Sequence, residues 1–315
     1  MTSTVYTDFQ NPAVNAAWLN DVNTSTYNTV PALTSALKFN AGANGTLAIG
    51  VGAVAIGTNS IALGTSSAAG LLSGTTDSIA IGTGAGSYGV GSTSIGNQGV
   101  AQGLYAISIG GGVAYADYAI SIGIGSLANN TYSISMGYGA NSSADKATAI
   151  GFGSYANTFG KYVYAGSFII NAGDTQTGVT VLSRVATAAS TNYVLTSDTL
   201  VPSSSSKYQT NNQLTLPVSS AFSFDGTIVA RQKGSAGTAV AGWTVSGVAH
   251  REATGNVLFF GTPTVTALGT VPTGWTMTCT LDTTNQAVAF TFNMGTTVMN
   301  VACMATIRSS ELTYA

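Results

Sequence analysis

One four-residue phrase returns nine times between residues 41 and 160, and this repetition limits the folds open to the chain. The copies are LAIG (47–50), VAIG (54–57), IALG (61–64), IAIG (79–82), TSIG (93–96), ISIG (107–110 and 120–123), ISMG (134–137) and TAIG (148–151). If Gly57 is counted as a half-step, the closing glycines follow at intervals of 14, 18, 14, 14, 13, 14 and 14 residues. A fixed period indicates a structural unit stacked on copies of itself. The repeat has 14 residues, with one insertion around Leu71-Leu72 and one short step before Gly123.

Each phrase alternates Ile or Leu with Ala or Ser, which is the periodicity of a β-strand. A glycine closes the phrase, and a second glycine often follows two residues later, as in Gly82/Gly84 and Gly137/Gly139. Since glycine adopts positive φ without penalty, these pairs predict sharp turns between two short strands. The prediction is a flattened parallel β-roll of about eight coils that is about 40 Å long. Ile and Ala are expected inside the roll, and Ser, Thr, Asn and Gly outside it.

The pattern of I-A/S-I-G followed by G-A/S-x-A resembles the head repeat of YadA-like trimeric adhesins. The resemblance covers residues 41–160 and departs from the family pattern at the insertion and at the short step. It implies a left-handed parallel β-roll in a homotrimer. The surface of the section is almost uncharged, which also favours association with copies of itself.

Charged residues make up only 6% of the 315 residues, against roughly 25% in a typical soluble chain, and the net charge is −2. No basic patch is present, so nucleic-acid binding is not expected. The sequence contains no uninterrupted apolar run of about 18 residues, so no membrane span is expected. The N-terminus lacks the pattern of a secretory signal. We therefore expect assembly in a cytoplasm, without membrane insertion. Cys279 and Cys303 lie in alternating segments and are interpreted as buried free thiols. No metal site and no cofactor are predicted.

The N-terminal segment, residues 1–40, predicts a short amphipathic helix, because Val14, Trp18 and Val22 recur every four residues. Its phrase PAVNAAWLNDVN resembles the start of tail fibre and tailspike proteins of tailed bacteriophages. The resemblance implies attachment to a tail hub, nozzle or adaptor protein of the virion, and we assign Val14, Trp18, Leu19 and Val22 to that contact. Packing of Trp18 beneath the first coil is the alternative.

A row of side chains is predicted along one edge of the roll. Tyr105, Tyr118 and Tyr132 each lie five positions before a repeat glycine, and Lys146 takes the same place in the next coil. Because flat aromatic faces can hold sugar rings, the four residues are a candidate ligand-binding surface for a host glycan. The alternative is structural: the rings stack on one another along the rod or are buried against a neighbouring subunit.

Asp117 and Asp145 are also in register, two coils and hence roughly 10 Å apart by strand spacing. Paired carboxylates at a slightly smaller distance serve inverting glycosidases. Both residues, however, stand in A-D-x-A turns, where aspartate commonly makes local hydrogen bonds. No further acid, histidine or arginine is nearby, so no catalytic residues are assigned and the protein is not expected to be an enzyme.

Beyond the roll we expect connecting strands and a loop over residues 161–213, followed by an antiparallel β-sandwich over residues 214–315. Strands are predicted at 214–218, 222–231, 239–250, 256–260, 274–281, 287–294 and 298–308. Turn signals stand at 225–226, 233–234, 254–255, 272–274 and 282–285. His250 is expected to end a strand and to form an ion pair at the surface.

The segments GTIVARQ, AGWTVSGVAHRE, LDTTNQAVAFTF and MATIRSSELTY resemble a C-terminal module of phage tail fibre proteins, which implies a distal tip. The chain is thus interpreted as an all-β homotrimeric tail fibre of a virion, which adheres to a host surface receptor or glycan. A glycan-cleaving tailspike and a fragment of a bacterial trimeric adhesin are the alternatives. An ice-binding solenoid would need Thr-x-Thr faces, which the repeat lacks.

Overall fold

The computed structural model describes residues 37–40, 45–72, 74–200, 212–233, 237–296 and 299–314, with the backbone alone for 37–40. The predicted N-terminal helix, with Val14, Trp18, Leu19 and Val22, lies outside these residues. All regular structure in the described ranges is β-strand, so the all-β prediction is confirmed there. They contain no helix that is long and apolar enough to cross a membrane.

The roll consists of two sheets that the chain visits in alternation. Its strands are β1 (Leu37–Asn40), β2 (Thr46–Ile49), β3 (Val54–Ala55), β4 (Ile61–Leu63), β5 (Ala68–Ala69), β6 (Ile79–Ile81), β7 (Gly86–Ser87), β8 (Thr93–Ile95), β9 (Val100–Ala101), β10 (Ile107–Ile109), β11 (Val113–Ala114), β12 (Ile120–Ile122), β13 (Leu127–Ala128), β14 (Ile134–Met136), β15 (Asn141–Ser142), β16 (Thr148–Gly151), β17 (Tyr155–Ala156) and β18 (Tyr162–Ala165). From β2 onward, the even-numbered strands form the first sheet and the odd-numbered strands form the second.

Successive strands of each sheet pair in parallel, so each phrase lies directly on the next. The turn after each repeat glycine leads to the second sheet, and we call that side of the roll the glycine edge. The return turns form the tyrosine edge. The short step is absorbed at the glycine edge by Gly110 and Gly111, both with positive φ. The insertion extends a return turn around Leu71, so that Ile61 still pairs with Ile79. The predicted parallel roll is therefore confirmed.

The interior of the roll is filled mainly by alanine and serine, with Val163 in the last coil. The middle residue of each phrase, such as Ala80, Ser121 or Ala149, is fully buried, whereas the Ile residues on either side of it face outward. The expectation that Ile lies inside and Ser outside is therefore wrong. Small side chains therefore fill most of the space between the two sheets, and several serine hydroxyls have partners: Ser121 Oγ and Ser126 Oγ are 2.6 Å apart, and Ser108 donates to the carbonyl of Gly112 at 2.7 Å. Hydrogen bonding offsets the cost of burying these hydroxyls.

The repeat glycines keep the coils in close contact. Gly137 has a φ of 129°, and a Cβ placed there would lie 2.3 Å from the carbonyl oxygen of Gly151 in the next coil. Gly82 meets Gly96 in the same way. These positions therefore need glycine for two reasons, the backbone angle and the lack of space.

Replacement of Gly137 by alanine is expected to destabilise the roll by at least about 2 kcal/mol, because it adds a backbone clash to an unfavourable φ. Gly139 is the matched control, since its φ is 62° and a Cβ there would meet nothing within 4 Å. Gly139→Ala should cost only about 1 kcal/mol. Urea or thermal unfolding of the two variants measures the difference, and equal losses would contradict the close approach of the coils.

After the roll, the chain forms a two-layered antiparallel tip. Its strands are β19 (Thr175–Ala186), β20 (Tyr193–Val194), β21 (Leu214–Thr215), β22 (Ser220–Gln232), β23 (Val240–Arg251), β24 (Leu258–Phe259), β25 (Thr264–Ala267), β26 (Thr276–Asp282), β27 (Ala287–Asn293) and β28 (Val301–Thr313). β18 pairs with β19, so the first sheet of the roll continues without a break through β19, β28, β22 and β23. The smaller sheet contains β20, β27, β21 and β26.

The two sheets of the tip enclose a large apolar core and form an antiparallel sandwich, but it includes β19 and β20 and so begins before residue 214, where it was expected to start. Phe290 and Phe292 of β27 are fully buried and meet Phe224 and Trp243 of the larger sheet edge to face. The turn predicted at Asp225-Gly226 is wrong, because both residues lie inside β22. A Cβ on Gly226 would lie 2.4 Å from the carbonyl oxygen of Thr306, so this glycine allows a close strand approach rather than a turn.

A buried ion pair joins the roll to the tip. Lys161 stands just before β18, where earlier coils carry a buried Ala or Ser, and its ammonium contacts Glu311 of β28 at 2.5 Å. Both side chains are almost fully buried. Glu311 also accepts hydrogen bonds from Ser309 and from Gln176 of β19, and the Lys161 ammonium lies 5.6 Å from the ring centroid of Phe222. The contacts connect the last coil to three strands of the sandwich.

Lys161→Met is expected to destabilise the chain by about 3–5 kcal/mol, because it leaves the Glu311 carboxylate buried without a cation. Adding Glu311→Gln to that variant should restore much of the loss, since the remaining group is neutral. The free energy of unfolding in urea distinguishes the cases. A double variant as unstable as Lys161→Met alone would show that the pair acts through packing rather than through charge.

Candidate binding surfaces

The tyrosine edge carries the predicted row of side chains. Tyr105, Tyr118 and Tyr132 occupy equivalent positions in successive return turns, and each has a φ between 53° and 58°. Their backbone N–H groups donate to the preceding coil, as from Tyr118 to the carbonyl of Leu104 at 2.8 Å. Non-glycine residues rarely adopt this left-handed conformation. The repeated turn therefore orients all three side chains in the same way.

The three rings stack on one another. The centroids of Tyr105 and Tyr118 are 5.7 Å apart, and those of Tyr118 and Tyr132 are 4.9 Å apart with an interplanar angle of 8°. The predicted ladder is thus confirmed as a geometric arrangement. Because the rings cover each other's faces, the exposed side of the ladder presents ring edges and hydroxyl groups, which can form hydrogen bonds.

Lys146 has the same backbone conformation as the tyrosines, with a φ of 57°, but it does not extend the stack. Its ammonium lies 5.1 Å from the ring centroid of Phe159, in a cation–π contact with the following return turn. The side chain remains exposed. It therefore adds a positive charge at the end of the tyrosine row.

The two aspartates considered as a catalytic pair have local roles on the same edge. Asp117 accepts a hydrogen bond from the backbone N–H of Leu104 at 2.9 Å and so connects two turns. Burial raises the pKa of the Asp145 carboxyl above its ordinary value, against the opposing effects of a backbone hydrogen bond at Thr131 and of Lys146.

The glycine edge carries a second aromatic row that the sequence analysis missed. Tyr138 and Phe152 each follow a repeat glycine directly, and their centroids are 5.0 Å apart. Phe168, from the loop after β18, stacks on Phe152 at 5.1 Å. Ile124 takes the equivalent position one coil earlier and is highly exposed. Counting forward from the glycines, as well as backward, would have revealed this row.

The outer face of the first sheet is apolar. The residues on either side of each buried alanine or serine are mostly Ile, in two columns that run the length of the roll. The side chains of Ile95 and Ile109 are 39% and 38% exposed to solvent. Tyr162 and Tyr164 of β18 continue the columns and are followed by Val179 and Thr177 of β19. Contiguous apolar surface of this kind marks an interaction site.

The remaining candidates have structural roles. His250 lies near the end of β23, as expected, with its Nδ1 3.3 Å from a carboxylate oxygen of Glu252, a contact that is an ion pair when the imidazole is protonated. Cys279 and Cys303 are free, and burial raises the pKa of each thiol to about 12. Across the described ranges, no cluster of three potential metal-binding side chains occurs.

Tyr118→Ala is expected to destabilise the roll by about 1–3 kcal/mol, because it removes two stacked ring contacts. Tyr118→Gly should be less harmful by about 1 kcal/mol, since glycine tolerates the positive φ. Tyr115→Ala is the control, as Tyr115 is similarly exposed and makes no ring contact within the described part of the chain. Thermal unfolding compares the three variants, and a loss in Tyr115→Ala as large as in Tyr118→Ala would contradict the stacking contribution.

Comparison with known proteins identifies the repeat. Residues 41–67, 76–98, 114–140 and 128–154 match the family model of the YadA head domain repeat. The roll therefore carries YadA-like head repeats, and the matches do not extend into the tip. No protein matched in a search of curated sequences.

Solved structures that align with the chain include three phage tailspikes. They are tailspike protein gp49 of Acinetobacter baumannii bacteriophage Fri1, a capsular polysaccharide depolymerase, with 8% identity, and the tailspikes of Acinetobacter baumannii phage AM24 and Acinetobacter phage vB_ApiP_P1, with 13% and 10% identity. The alignments cover 74%, 84% and 81% of this chain and 36%, 47% and 49% of those chains, with TM-scores of 0.25, 0.25 and 0.24. The chain thus spans between about a third and a half of their length, and scores this low do not establish a common fold.

Proposed function

We propose that this chain is the subunit of a homotrimeric tail fibre of a bacteriophage, a non-enzymatic adhesin that holds the virion to its host. The observation that carries the proposal is the apolar outer face of the first sheet. Ile side chains on this face stand half exposed over the whole rod, and a further protein surface is needed to cover them.

Identical copies fit this surface best. Each copy has the same two columns of Ile side chains, spaced one coil apart. The columns of neighbouring copies can therefore meet in register along the full length of the roll. The face is also almost free of charge, which removes the electrostatic cost of bringing copies together. YadA head repeats in the roll favour three copies over two, and the continuation through Tyr162 and Tyr164 carries the contact to the beginning of the tip.

The recombinant protein is expected to have a solution mass close to three times 31.6 kDa, with an elongated hydrodynamic profile, by light scattering on a sizing column. Ile109→Asp should reduce the mass to that of a monomer, because it places a charge in the covered face. Ile124→Asp is the control, since Ile124 lies on the glycine edge and is 69% exposed. A monomeric unaltered protein would overturn the trimer.

The two ends of the fibre have different roles in this proposal. Residues 1–40 attach it to a tail hub, nozzle or adaptor protein through Val14, Trp18, Leu19 and Val22. The roll is the shaft, and the tip and the flank of the roll contact the host surface. Three copies on one rod convert weak individual contacts into firm attachment. The protein would be assembled in the host cytoplasm and reside in the virion tail.

The tyrosine edge is the first of the proposed host contacts. The hydroxyl groups of Tyr105, Tyr118 and Tyr132, followed by the Lys146 ammonium, offer hydrogen-bond donors at coil spacing, which suits the hydroxyl groups of a surface glycan.

Tyr118→Phe combined with Tyr132→Phe keeps the stacked rings and removes only the hydroxyl groups, so it should reduce adhesion several-fold without loss of stability. Binding of the labelled protein to host cells measures this, with Tyr115→Phe as the control. Unchanged adhesion would remove the tyrosine edge from the binding surface. Release of reducing sugar from host polysaccharide would instead favour a glycan-cleaving tailspike.

A further inference from the structure

A concave site of about 600 Å³ lies at one end of the large sheet of the tip. The beginning of β22 and the ends of β23 and β28 line it, with the loop after β24. We propose that it binds a single hexose unit of a cell-surface polysaccharide. The proposal rests on the adhesive function proposed above and assigns its saccharide contact to the tip.

Two aromatic rings give the site its apolar surface. Phe260 is 78% exposed and Tyr314 is 66% exposed, and both line the cavity. Their backbones are held in place: the N–H of Phe260 donates to the carbonyl of Val248 and that of Tyr314 to the carbonyl of Ser219, at 2.9 and 2.8 Å. Exposed rings on an anchored backbone lose little freedom on binding, and their faces suit the C–H surface of a sugar ring.

Polar groups beside these rings provide the directional contacts that hydroxyl groups need. His250 uses one ring nitrogen on Glu252, and the Glu252 carboxylate is itself exposed. Arg251 donates to the carbonyls of Leu216 and Gly255, at 3.2 and 3.3 Å, and these two bonds hold the guanidinium beside the cavity. Both signs of charge, with donors and acceptors side by side, match a neutral polyol better than an anion, a cation or an apolar partner.

The cavity lies next to the loop that ends the second aromatic row. Thr313 of β28 donates to the carbonyl of Asp174, in the loop that carries Phe168 at the end of the second aromatic row. The end of β28 that lines the cavity is therefore joined to the loop that reaches the glycine edge.

Saturation-transfer difference NMR on the full chain tests the site, with D-glucose, D-galactose, D-mannose and N-acetyl-D-glucosamine as separate probes at millimolar concentrations. At least one probe is expected to give a signal from its ring protons. Phe260→Ala and Tyr314→Ala should each weaken its affinity by roughly tenfold or more. Leu268→Ala, at an exposed apolar residue of the tip outside the cavity, should leave it unchanged. Thermal unfolding checks that all three variants are folded.

No signal from any probe, or signals that persist in both aromatic variants, would overturn the saccharide site. Adhesion to host cells, measured with the same proteins, separates this result from the broader proposal. If the unaltered protein adheres and Phe260→Ala adheres equally well, the site is excluded and the fibre function stands. If a probe binds but the unaltered protein does not adhere, the site stands and the adhesive function fails.

Discussion

The short distance between the two sheets of the roll is the constraint on which the rest of the structure depends. Repeat glycines let the backbones of successive coils approach until a single added Cβ would overlap a carbonyl oxygen. The interior between the two sheets holds mainly alanine and serine, and several of the serine hydroxyls are bonded to one another or to carbonyls. An interior this small buries little apolar area, so the roll cannot be stabilised by its core alone. Its larger apolar side chains are left on the outside.

The same repetition places side chains at the edges in rows. A backbone turn that recurs in every coil points its side chain in the same direction each time. Three tyrosines therefore stack on one edge, and Tyr138, Phe152 and Phe168 stack on the other. Stacking along the rod compensates in part for the left-handed conformation that the tyrosines adopt. It also decides what a ligand can reach, since neighbouring rings already occupy most ring faces.

The tip is stabilised in a different way, by a conventional core of aromatic and aliphatic side chains between two antiparallel sheets. A continuous sheet and the buried pair of Lys161 and Glu311 join it to the roll. A force applied at the tip is therefore transmitted to the rod through main-chain hydrogen bonds. This arrangement fits the proposed role of a fibre whose end holds a particle to a cell.

Much of this could be predicted from the sequence, because the signals are local. Gly96, Gly110 and Gly137 each lie 14 residues after the repeat glycine that precedes them, and this spacing indicated a stacked roll. The alternation of apolar and polar residues after residue 213 indicated the sandwich. The tyrosine row followed from counting positions. Alternation alone, however, shows which residues share a face and not which face is inside. Ile was therefore assigned to an interior that alanine and serine mostly fill.

Contacts between distant segments were decided by the tertiary structure. Asp225-Gly226 has the composition of a turn, yet it lies within β22 because neighbouring strands pair with it along its whole length. Lys161 and Glu311 are 150 positions apart, and no local pattern joins them. The cavity between Phe260 and Tyr314 likewise forms only when three strand ends meet. The sequence by itself determined the period, the strands and the turns, since these depend on neighbouring residues. Which face is buried and which side chains meet depended on how closely the sheets pack.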